Sequence, residues 1–374
     1  MRRQLMRGRA LAAAGATAAV LAITSCAVPR ATSAQAGPAA APAAAAMPLA
    51  TSLATAGGSW AVVPMASDPT FWQVFARPGA ASAWKLDTPP GAASNGGLVA
   101  AEPGKGGGLT VAVRPSQDRE FTPLAATTAG GTTWTAPPPL QAGIADSPDT
   151  LAVSGRVLVV VAGHGAVEAS TDGGTTWRTL AAPGPQACGA VTVTSVSLAG
   201  GTGLLAGGTC GPGGTAVLLS GSLTAPSAGW RAVPLPASGQ LLRLAGDQAL
   251  LRSSAGLFAL WETQAKGAKD PEWTASAPLP VTGTPVSSGW LSSSDVWVLL
   301  PGGAAAVITG PGASWRTLPR VPARTSVLAS GPGGAIDALA ASGSALTVWR
   351  LEPSASRWTR AQSMSVPIQY GSSG

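Results

Sequence analysis

The chain has 374 residues, of which only 10% are charged, and a formal net charge of +7. Four of its basic residues lie among the first nine positions, in a segment that we expect to be removed, which leaves 19 basic against 16 acidic residues. This small excess, with one Tyr, four Phe and no Lys/Arg cluster interleaved with aromatic residues, argues against a nucleic-acid partner. Glycine (49) and proline (33) fall between short apolar runs, which indicates folded β-structure rather than disorder.

The amino terminus has the plan of an export signal. Its arginines precede an apolar run over residues 10–23 that is too short for a comfortable membrane span, so we expect removal rather than anchoring by a helix. The next residues, Ile23-Thr24-Ser25-Cys26, resemble the bacterial lipobox. That resemblance implies a lipoprotein signal peptide over residues 1–25, a diacylglyceryl group on Cys26, and a protein exported and lipid-anchored to the outer face of the bacterial cell membrane. Ordinary cleavage nearby is the alternative.

A tether is predicted between the lipidated Cys26 and the folded domain. Residues 26–50 are rich in Ala, Pro, Ser and Thr and carry one charge, Arg30, so they offer too little apolar surface to fold alone. Such a chain reaches on the order of 70 Å at about 3.1 Å per residue. We assign residues 51–374 to one folded domain.

A tryptophan recurs through this domain in the same local setting, after a small-residue turn and before a short apolar stretch. The intervals between successive copies are 50, 43, 53, 43, 42 and 43 residues, and the seven copies are Trp84, Trp134, Trp177, Trp230, Trp273, Trp315 and Trp358. A period of 40 to 50 residues with short strands and glycine-rich turns is typical of propeller blades. The prediction is therefore an all-β, seven-bladed β-propeller of four-stranded antiparallel blades, with six or eight blades as alternatives.

The blades follow in chain order from this spacing. Residues 51–88 make a complete first blade, and residues 359–366 make the last strand of the seventh, so no strand is exchanged between the first and last blades. In the third blade, residues 157–162 form a buried strand and residues 166–169 lead into a turn. In the sixth, four strands are expected at residues 287–293, 296–300, 304–309 and 316–318, with Gly302-Gly303 as a turn.

One turn matches a known repeat at every defining position. Ser170-x-Asp172-x-Gly174-x-Thr176-Trp177 resembles the Asp-box, or bacterial neuraminidase repeat, and residues 127–134 form a degraded copy with Ala129 in place of the aspartate. The residue types suit a hairpin, because the aspartate accepts hydrogen bonds from turn amides, Gly173 and Gly174 supply positive φ, and the tryptophan packs over the turn. The chain therefore resembles Asp-box propellers, which include sialidases, sortilin-type receptor ectodomains and photosystem II assembly-factor-like proteins. The resemblance implies a structural, non-catalytic role for this turn, at a blade edge away from the ligand face.

The two remaining cysteines are an even pair in a chain expected to be exported. Cys188 precedes a predicted strand at residues 191–198, and Cys210 follows its predicted partner at residues 204–208. Antiparallel pairing would bring the two together, and a disulfide closing a loop of about 20 residues contributes roughly 3 kcal/mol in the chain-entropy model. A metal site is the competing hypothesis, but it needs further ligands and neither cysteine has a neighbouring His. No metal and no cofactor are predicted.

Candidate ligand contacts are sought on the propeller face that carries the second-to-third strand turns and the connections between blades. On the predicted blade boundaries this face carries a set of charged loop residues, Arg114, Asp118, Arg119, Glu120, His164 and Arg252. His164 is the only histidine of the chain, within a Gly-His-Gly turn, and an exposed turn residue is the simpler interpretation. Solvated surface is likewise the simpler interpretation of the charged loops.

Two functions from different classes follow from the predicted architecture. The first is a monomeric, membrane-anchored, non-catalytic binding or scaffold module for an extracytoplasmic protein, peptide or glycan, which suits a chain with few catalytic residue types. The second is a glycoside hydrolase of sialidase-like architecture. The sialidase family uses a Tyr nucleophile, and this chain offers only Tyr370, four residues from its end. The family places three Arg residues on the substrate carboxylate, and Phe75-Ala76-Arg77-Pro78 resembles its amino-terminal Arg-Ile-Pro signature without the Ile. We therefore expect no catalytic residue and favour the binding module.

Overall fold

The computed structural model describes residues 50–55, 58–65, 72–89, 98–103, 108–113, 124–127, 133–135, 150–162, 166–180, 191–199, 203–211, 214–224, 229–263, 272–281 and 283–367. These residues form seven sheets of four strands, each with the strands in chain order and antiparallel to their neighbours. The helical segments among them are two 3₁₀ turns, Pro301–Gly303 and Pro332–Gly334. The protein is an all-β, seven-bladed propeller, so the prediction of seven blades is confirmed and the alternatives of six or eight are wrong.

Each blade takes its four strands from one continuous stretch of chain. Blades 1 to 4 consist of β1 Thr51–Thr55, β2 Gly58–Pro64, β3 Trp72–Arg77, β4 Lys85–Leu86, β5 Leu98–Pro103, β6 Leu109–Val113, β7 Leu124–Thr127, β8 Trp134–Thr135, β9 Thr150–Ser154, β10 Val157–Ala162, β11 Ala166–Ser170, β12 Arg178–Thr179, β13 Val191–Ala199, β14 Gly203–Cys210, β15 Thr215–Ser222 and β16 Arg231–Val233. Blades 5 to 7 consist of β17 Gln240–Ala245, β18 Gln248–Ser253, β19 Gly256–Thr263, β20 Glu272–Ala275, β21 Ser287–Trp290, β22 Asp295–Leu299, β23 Ala305–Thr309, β24 Arg316–Thr317, β25 Thr325–Ser330, β26 Ile336–Ser342, β27 Ala345–Leu351 and β28 Thr359–Ser365.

The core lies between neighbouring blades, so the middle strands are buried on both faces. All six residues of β3 are buried, and β10 has the continuous apolar run Val157-Leu158-Val159-Val160-Val161 that such a strand requires. The first strand of each blade faces the ring axis, and β1 of blade 1 contacts β25 of the neighbouring blade 7 and also β21 of blade 6. Apolar packing between blades also crosses the boundary of blades 1 and 7, whose buried residues belong to one cluster with residues of blades 2 and 6.

Four of the seven first strands carry a bulge where they pair with the second strand of their blade. The register shifts fall between Leu98 and Ala100 in β5, Val193 and Ser195 in β13, Leu241 and Arg243 in β17, and Thr325 and Val327 in β25. A bulge places two residues of one strand opposite one of its partner, so it reverses the phase of side-chain alternation beyond it. In β17 this buries Leu241 and Leu242 in succession and leaves Arg243 outside the apolar layer.

Three of the periodic tryptophans connect their blade to the one before it. The indole Nε1–H of Trp134 donates to Asp87 Oδ1 at 3.2 Å, that of Trp315 to the Ala277 carbonyl at 3.1 Å, and that of Trp358 to the Pro319 carbonyl at 3.1 Å. All three acceptors lie one or two residues beyond the fourth strand of the preceding blade. The sequence period therefore reflects a repeated contact between blades.

The ring closes between blades 1 and 7 through side chains, because β1 to β4 and β25 to β28 each belong entirely to one blade. Arg77 NH1 lies 3.3 Å from Asp337 Oδ2, and Arg350 donates from Nε to Oδ1 at 2.8 Å and from NH2 to Oδ2 at 3.1 Å. Trp84 Nε1 donates to the same Oδ2 at 3.0 Å and lies under the Arg77 guanidinium, 5.2 Å from Cζ to the ring centroid. Gln362 Oε1 accepts from the Trp84 amide at 2.9 Å. Trp84 therefore donates to a fully buried carboxylate, whereas Trp315 and Trp358 donate to main-chain carbonyls.

Strand positions agree with the sequence prediction to within a few residues. The third strand of the sixth blade is β23, and Gly302 and Gly303 before it have φ of 79° and 82°, as a glycine turn requires. The first blade spans 51–86, and β28 is the last strand of the ring. Strand β14 extends further than expected, so that Cys210 lies within it and pairs with Val191.

The turn from Ser170 to Trp177 has the hydrogen bonds that its residue types predict. Asp172 Oδ1 accepts from the Thr176 amide at 2.9 Å, and Oδ2 accepts from the Thr176 hydroxyl at 2.6 Å. Ser170 Oγ accepts from the Gly174 amide at 2.8 Å, while Trp177 Nε1 donates to the Gly174 carbonyl at 3.0 Å. Gly173 and Gly174 have φ of 80° and 91°. The bonds from Thr176, and then from Ser170, lower the pKa of Asp172 to about 2.

Replacing Asp172 by Asn should remove an acid-dependent part of the stability. The folded pKa of about 2 lies below the ordinary value of about 3.9, so the stabilisation is complete above about pH 4 and is lost as the pH falls through 2. Thermal unfolding from pH 6 to pH 2 should show the wild type losing midpoint temperature relative to the variant below about pH 4. Parallel curves over this range would contradict the role of the carboxylate.

Replacing Asp337 by Asn should lower the free energy of unfolding by about 3–5 kcal/mol, because two guanidinium groups then lose their shared buried counter-charge. Chemical denaturation of the purified protein measures the change. Glu272→Gln, which neutralises an exposed carboxylate on β20, is the matched control and should have little effect. Equal losses in the two variants would show that Asp337 does not hold the ring closed.

Candidate binding site

The propeller has two faces with different turns. One face carries the turns from first to second strand, such as Gly246-Asp247 and Leu291–Ser294, together with the turns from third to fourth strand, such as residues 171–177. We call this the first-turn face. The opposite face carries the turns from second to third strand, such as Ser254-Ala255, and the connections between blades. We call it the connection face, and it is the one on which the sequence analysis seeks ligand contacts.

A cleft of about 600 Å³ opens on the first-turn face between blades 1, 6 and 7. Its walls are small and polar residues with one guanidinium: Ala54, Gly58, Ser59, Arg77, Pro78, Gly79, Ala80, Leu291, Ser292, Ser293, Ser330 and Gly331. Gly58 packs directly on neighbouring main chain, since a Cβ there would lie 2.4 Å from the Arg77 carbonyl oxygen. Hydroxyl groups and exposed main chain make this cleft a surface for hydrogen bonding.

The one charged side chain in the cleft wall is held rigidly. Arg77 is 3% exposed; its NH2 donates to Ser59 Oγ at 3.2 Å and to the Ser330 carbonyl, and its NH1 faces Asp337. Burial lowers the pKa of Arg77, the charge of Asp337 opposes this, and Arg350 adds to the lowering. The sequence analysis compared this residue with a sialidase substrate contact, whereas the geometry commits its NH1 and NH2 groups to ring closure.

An axial cavity of about 210 Å³ adjoins the cleft, and both are lined by Ala54, Ser292 and Ser293. The other lining residues come from blades 1, 2, 5 and 6 and are Leu53, Glu102, Ala245, Gly246, Asp247, Gln248 and Trp290. None of these described lining residues is cationic. The cavity combines an aromatic wall with two carboxylates at the mouth of the ring axis, where ligand sites of ring-shaped folds concentrate.

Glu102 and Arg243 interact at this axis although they lie three blades apart in the chain. Burial raises the pKa of Glu102 to about 8, against the opposing charge of Arg243, and part of the side chain remains accessible to the cavity. Burial likewise lowers the pKa of Arg243 to about 10, against the charge of Glu102. Arg243 NH1 donates to the Ser288 carbonyl at 2.7 Å, and its Cζ lies 5.4 Å from the centroid of the Trp290 ring.

A third carboxylate lies near the cavity. The Glu262 amide donates to the Asp247 carbonyl at 2.7 Å, and the pKa of Glu262 is raised by burial and then by the charge of Asp247. Glu262 Oε2 is buried and has no hydrogen-bond partner among the described residues. Three carboxyl groups therefore lie at or beside the cavity, and burial keeps that of Glu102 mostly protonated at neutral pH.

The charged loop residues predicted from sequence are mostly untested. Arg114, Asp118, Arg119, Glu120 and His164 lie outside the described residues, as do Cys26 and Cys188. Arg252 lies at the end of β18 on the connection face, where NH2 donates to Gln240 Oε1 at 2.8 Å and NH1 donates to Thr284 Oγ1. Cys210 is disulfide-bonded, and its pairing with Cys188 stays a prediction.

Sequence analysis missed the residues that form the axial cavity. Glu102 and Arg243 are the charges within the otherwise apolar first strands β5 and β17, and that interruption is the signal that would have identified them. Among the described residues, no three His, Cys, Asp or Glu side chains are grouped to hold a metal ion. In the same part of the chain, no helix is long and apolar enough to cross a bilayer.

A scan of protein-family models found no match, and a search of curated proteins found none either. Solved structures similar in fold include a putative 6-phosphogluconolactonase from Bacteroides uniformis, 12% identical, covering 83% of this chain and 97% of that one with a TM-score of 0.52. YCF48 bound to D1 peptide is 15% identical, covering 70% of this chain and 81% of that one with a TM-score of 0.47. YCF48 from Cyanidioschyzon merolae is 13% identical, covering 80% of this chain and 91% of that one with a TM-score of 0.43. The similar propellers thus include a peptide-bound protein, and at these identities the likeness shows the fold alone.

Proposed function

We propose that this protein is a lipid-anchored, extracytoplasmic binding module that recognises a protein or peptide through its first-turn face. The observation that carries the proposal is the cleft of about 600 Å³ and the axial cavity that adjoins it. Concave sites with a few fixed polar groups are where folded proteins bind their ligands. The assignment of the Ser170–Trp177 turn to the Asp-box repeats belongs to the same proposal and supplies the propeller scaffold rather than the specificity.

The nature of the cleft walls supports recognition of a chain with exposed main-chain groups. Ser59, Ser292, Ser293 and Ser330 offer hydroxyl groups, and the Gly331 segment is main chain without side-chain cover. A fixed wall lowers the ordering cost of binding, and Arg77 is fixed by its bonds to blade 7. Those bonds also favour a binding module over a sialidase-like hydrolase, because the guanidinium that resembles the substrate contact is already engaged by Asp337.

Photo-crosslinking from two matched positions tests the proposal. A photoreactive residue at Ser293, exposed at the cleft on the first-turn face, should yield a defined adduct with a protein or peptide in intact cells. The same residue at Ser254, exposed on the connection face, is the control and should yield none. Adducts from Ser254 alone would show that the partner binds the connection face, which carries Arg252. Adducts from neither position would overturn the binding module.

Replacing Cys26 by Ala should release the protein from the membrane fraction. The anchor in this proposal is the acylated cysteine, so the variant loses both fatty-acid labelling and membrane retention. Fractionation of cells expressing wild type and variant, with labelled fatty acid, measures both. A variant that remains in the membrane fraction would show that another part of the chain, or a partner, holds the protein there.

A further inference from the structure

We propose that the axial cavity receives one cationic side chain, lysine or arginine, from the bound partner. This inference rests on the proposed function, because it names the chemistry of the partner at the same face. The cavity of about 210 Å³ is large enough for one such side chain and is lined by Glu102 and Asp247.

The carboxyl groups around the cavity favour a cation. Three carboxyl groups lie at or beside the cavity, those of Glu102, Asp247 and Glu262. Among the described residues around the cavity, Arg243 is the one cation close to them. Burial keeps Glu102 mostly protonated at neutral pH, so an entering cation meets the charge of Asp247 first. An added ammonium or guanidinium group would also favour the ionised form of Glu102.

The group of side chains around the axial cavity resembles the ion cluster at ring closure. At ring closure, Asp337 holds two guanidinium groups, and one of them lies over the ring of Trp84, whose Nε1–H reaches the same carboxylate. At the axis, Glu102 interacts with one guanidinium, Arg243, which lies over the ring of Trp290 at nearly the same distance, 5.4 Å against 5.2 Å. The axial cluster therefore shares a carboxyl group, a guanidinium and a tryptophan with the closure cluster, but it has one cation fewer among the described residues, and its indole N–H does not reach the carboxyl group.

The cavity wall contains a hydrogen-bond donor that has no partner among the described residues. Trp290 is 7% exposed and lines the cavity, and its Nε1–H has no acceptor among the described residues. A buried indole N–H without a partner costs free energy that a ligand acceptor would recover. A basic residue within a peptide carries both a cation and a main-chain carbonyl, so it satisfies the carboxylates and the indole together.

Fluorine NMR of the purified protein labelled with 5-fluorotryptophan tests the inference directly. The Trp290 resonance is assigned with Trp290→Phe, and the probe is N-acetyl-lysinamide. We expect a saturable shift of this resonance, and no such shift with N-acetyl-norleucinamide, which has the same chain without the charge. An equal effect of the two probes, or no saturable shift with the charged one, would overturn the inference.

Two carboxylate variants provide the matched comparison. Glu102→Gln should raise the dissociation constant of N-acetyl-lysinamide at least tenfold, whereas Glu272→Gln, an exposed carboxylate of β20, should leave it unchanged. The other twelve tryptophan resonances report whether the Glu102 variant keeps its fold. An unchanged dissociation constant in a folded Glu102→Gln protein would show that the cavity does not bind the cation.

Crosslinking separates failure of this inference from failure of the proposed function. Saturating N-acetyl-lysinamide should abolish the adduct formed from Ser293 if the cation belongs to the partner. An adduct that persists would show that the cavity takes a free amine instead, which overturns the partner assignment and leaves the binding module in place. Failure of Ser293 to form any adduct when no probe is present would instead contradict the proposed function.

Discussion

The carboxylate of Asp337 is the buried polar contact that fixes how blade 1 lies against blade 7, because the two blades share no strand and meet through side chains. The residue is fully buried and is satisfied by the guanidinium groups of Arg77 and Arg350 and by the indole of Trp84. Desolvating three charges is costly, and the cost is tolerable only when each charge finds close partners. The cluster is therefore specific to one geometry, in which blade 1 lies against blade 7. An apolar contact of similar area would permit more than one position of the two blades.

The regular part of the fold was predictable because it is local and repeated. Turn residues and a tryptophan recur at nearly constant intervals, and the structure shows what the tryptophans at 134, 315 and 358 do: each donates a hydrogen bond to the preceding blade. A turn with a tryptophan that recurs once per blade leaves a period in the sequence, and the period gives the blade count. The glycines of the Asp172 turn were predictable for the same reason, since positive φ limits the residues that a position accepts.

The site was not predictable from sequence, and bulges explain much of the difficulty. Glu102 and Arg243 meet at the axis from blades 2 and 5, a pairing that no local pattern records. Each follows a bulge in its strand, after Leu98 in β5 and after Leu241 in β17. Because an extra residue reverses which side chains face the axis, simple alternation assigns the wrong neighbours to both. The predicted ligand face stays a prediction, because most of its charged loops lie outside the described residues, while the cleft described above lies on the first-turn face.

Closure and recognition share a residue, and this links the stability of the ring to the shape of its cleft. Arg77 joins Asp337 of blade 7 through one end of its guanidinium and Ser59 and Ser330, both in the cleft wall, through the other. Ser59 Oγ and Ser330 Oγ are in turn 2.9 Å apart across the boundary between the two blades. A shift of blade 1 against blade 7 would therefore open the cleft and break the buried ion cluster in the same movement. Since that cluster tolerates little displacement, the cleft is held in one shape before any partner arrives, and its binding free energy is not spent on ordering the wall.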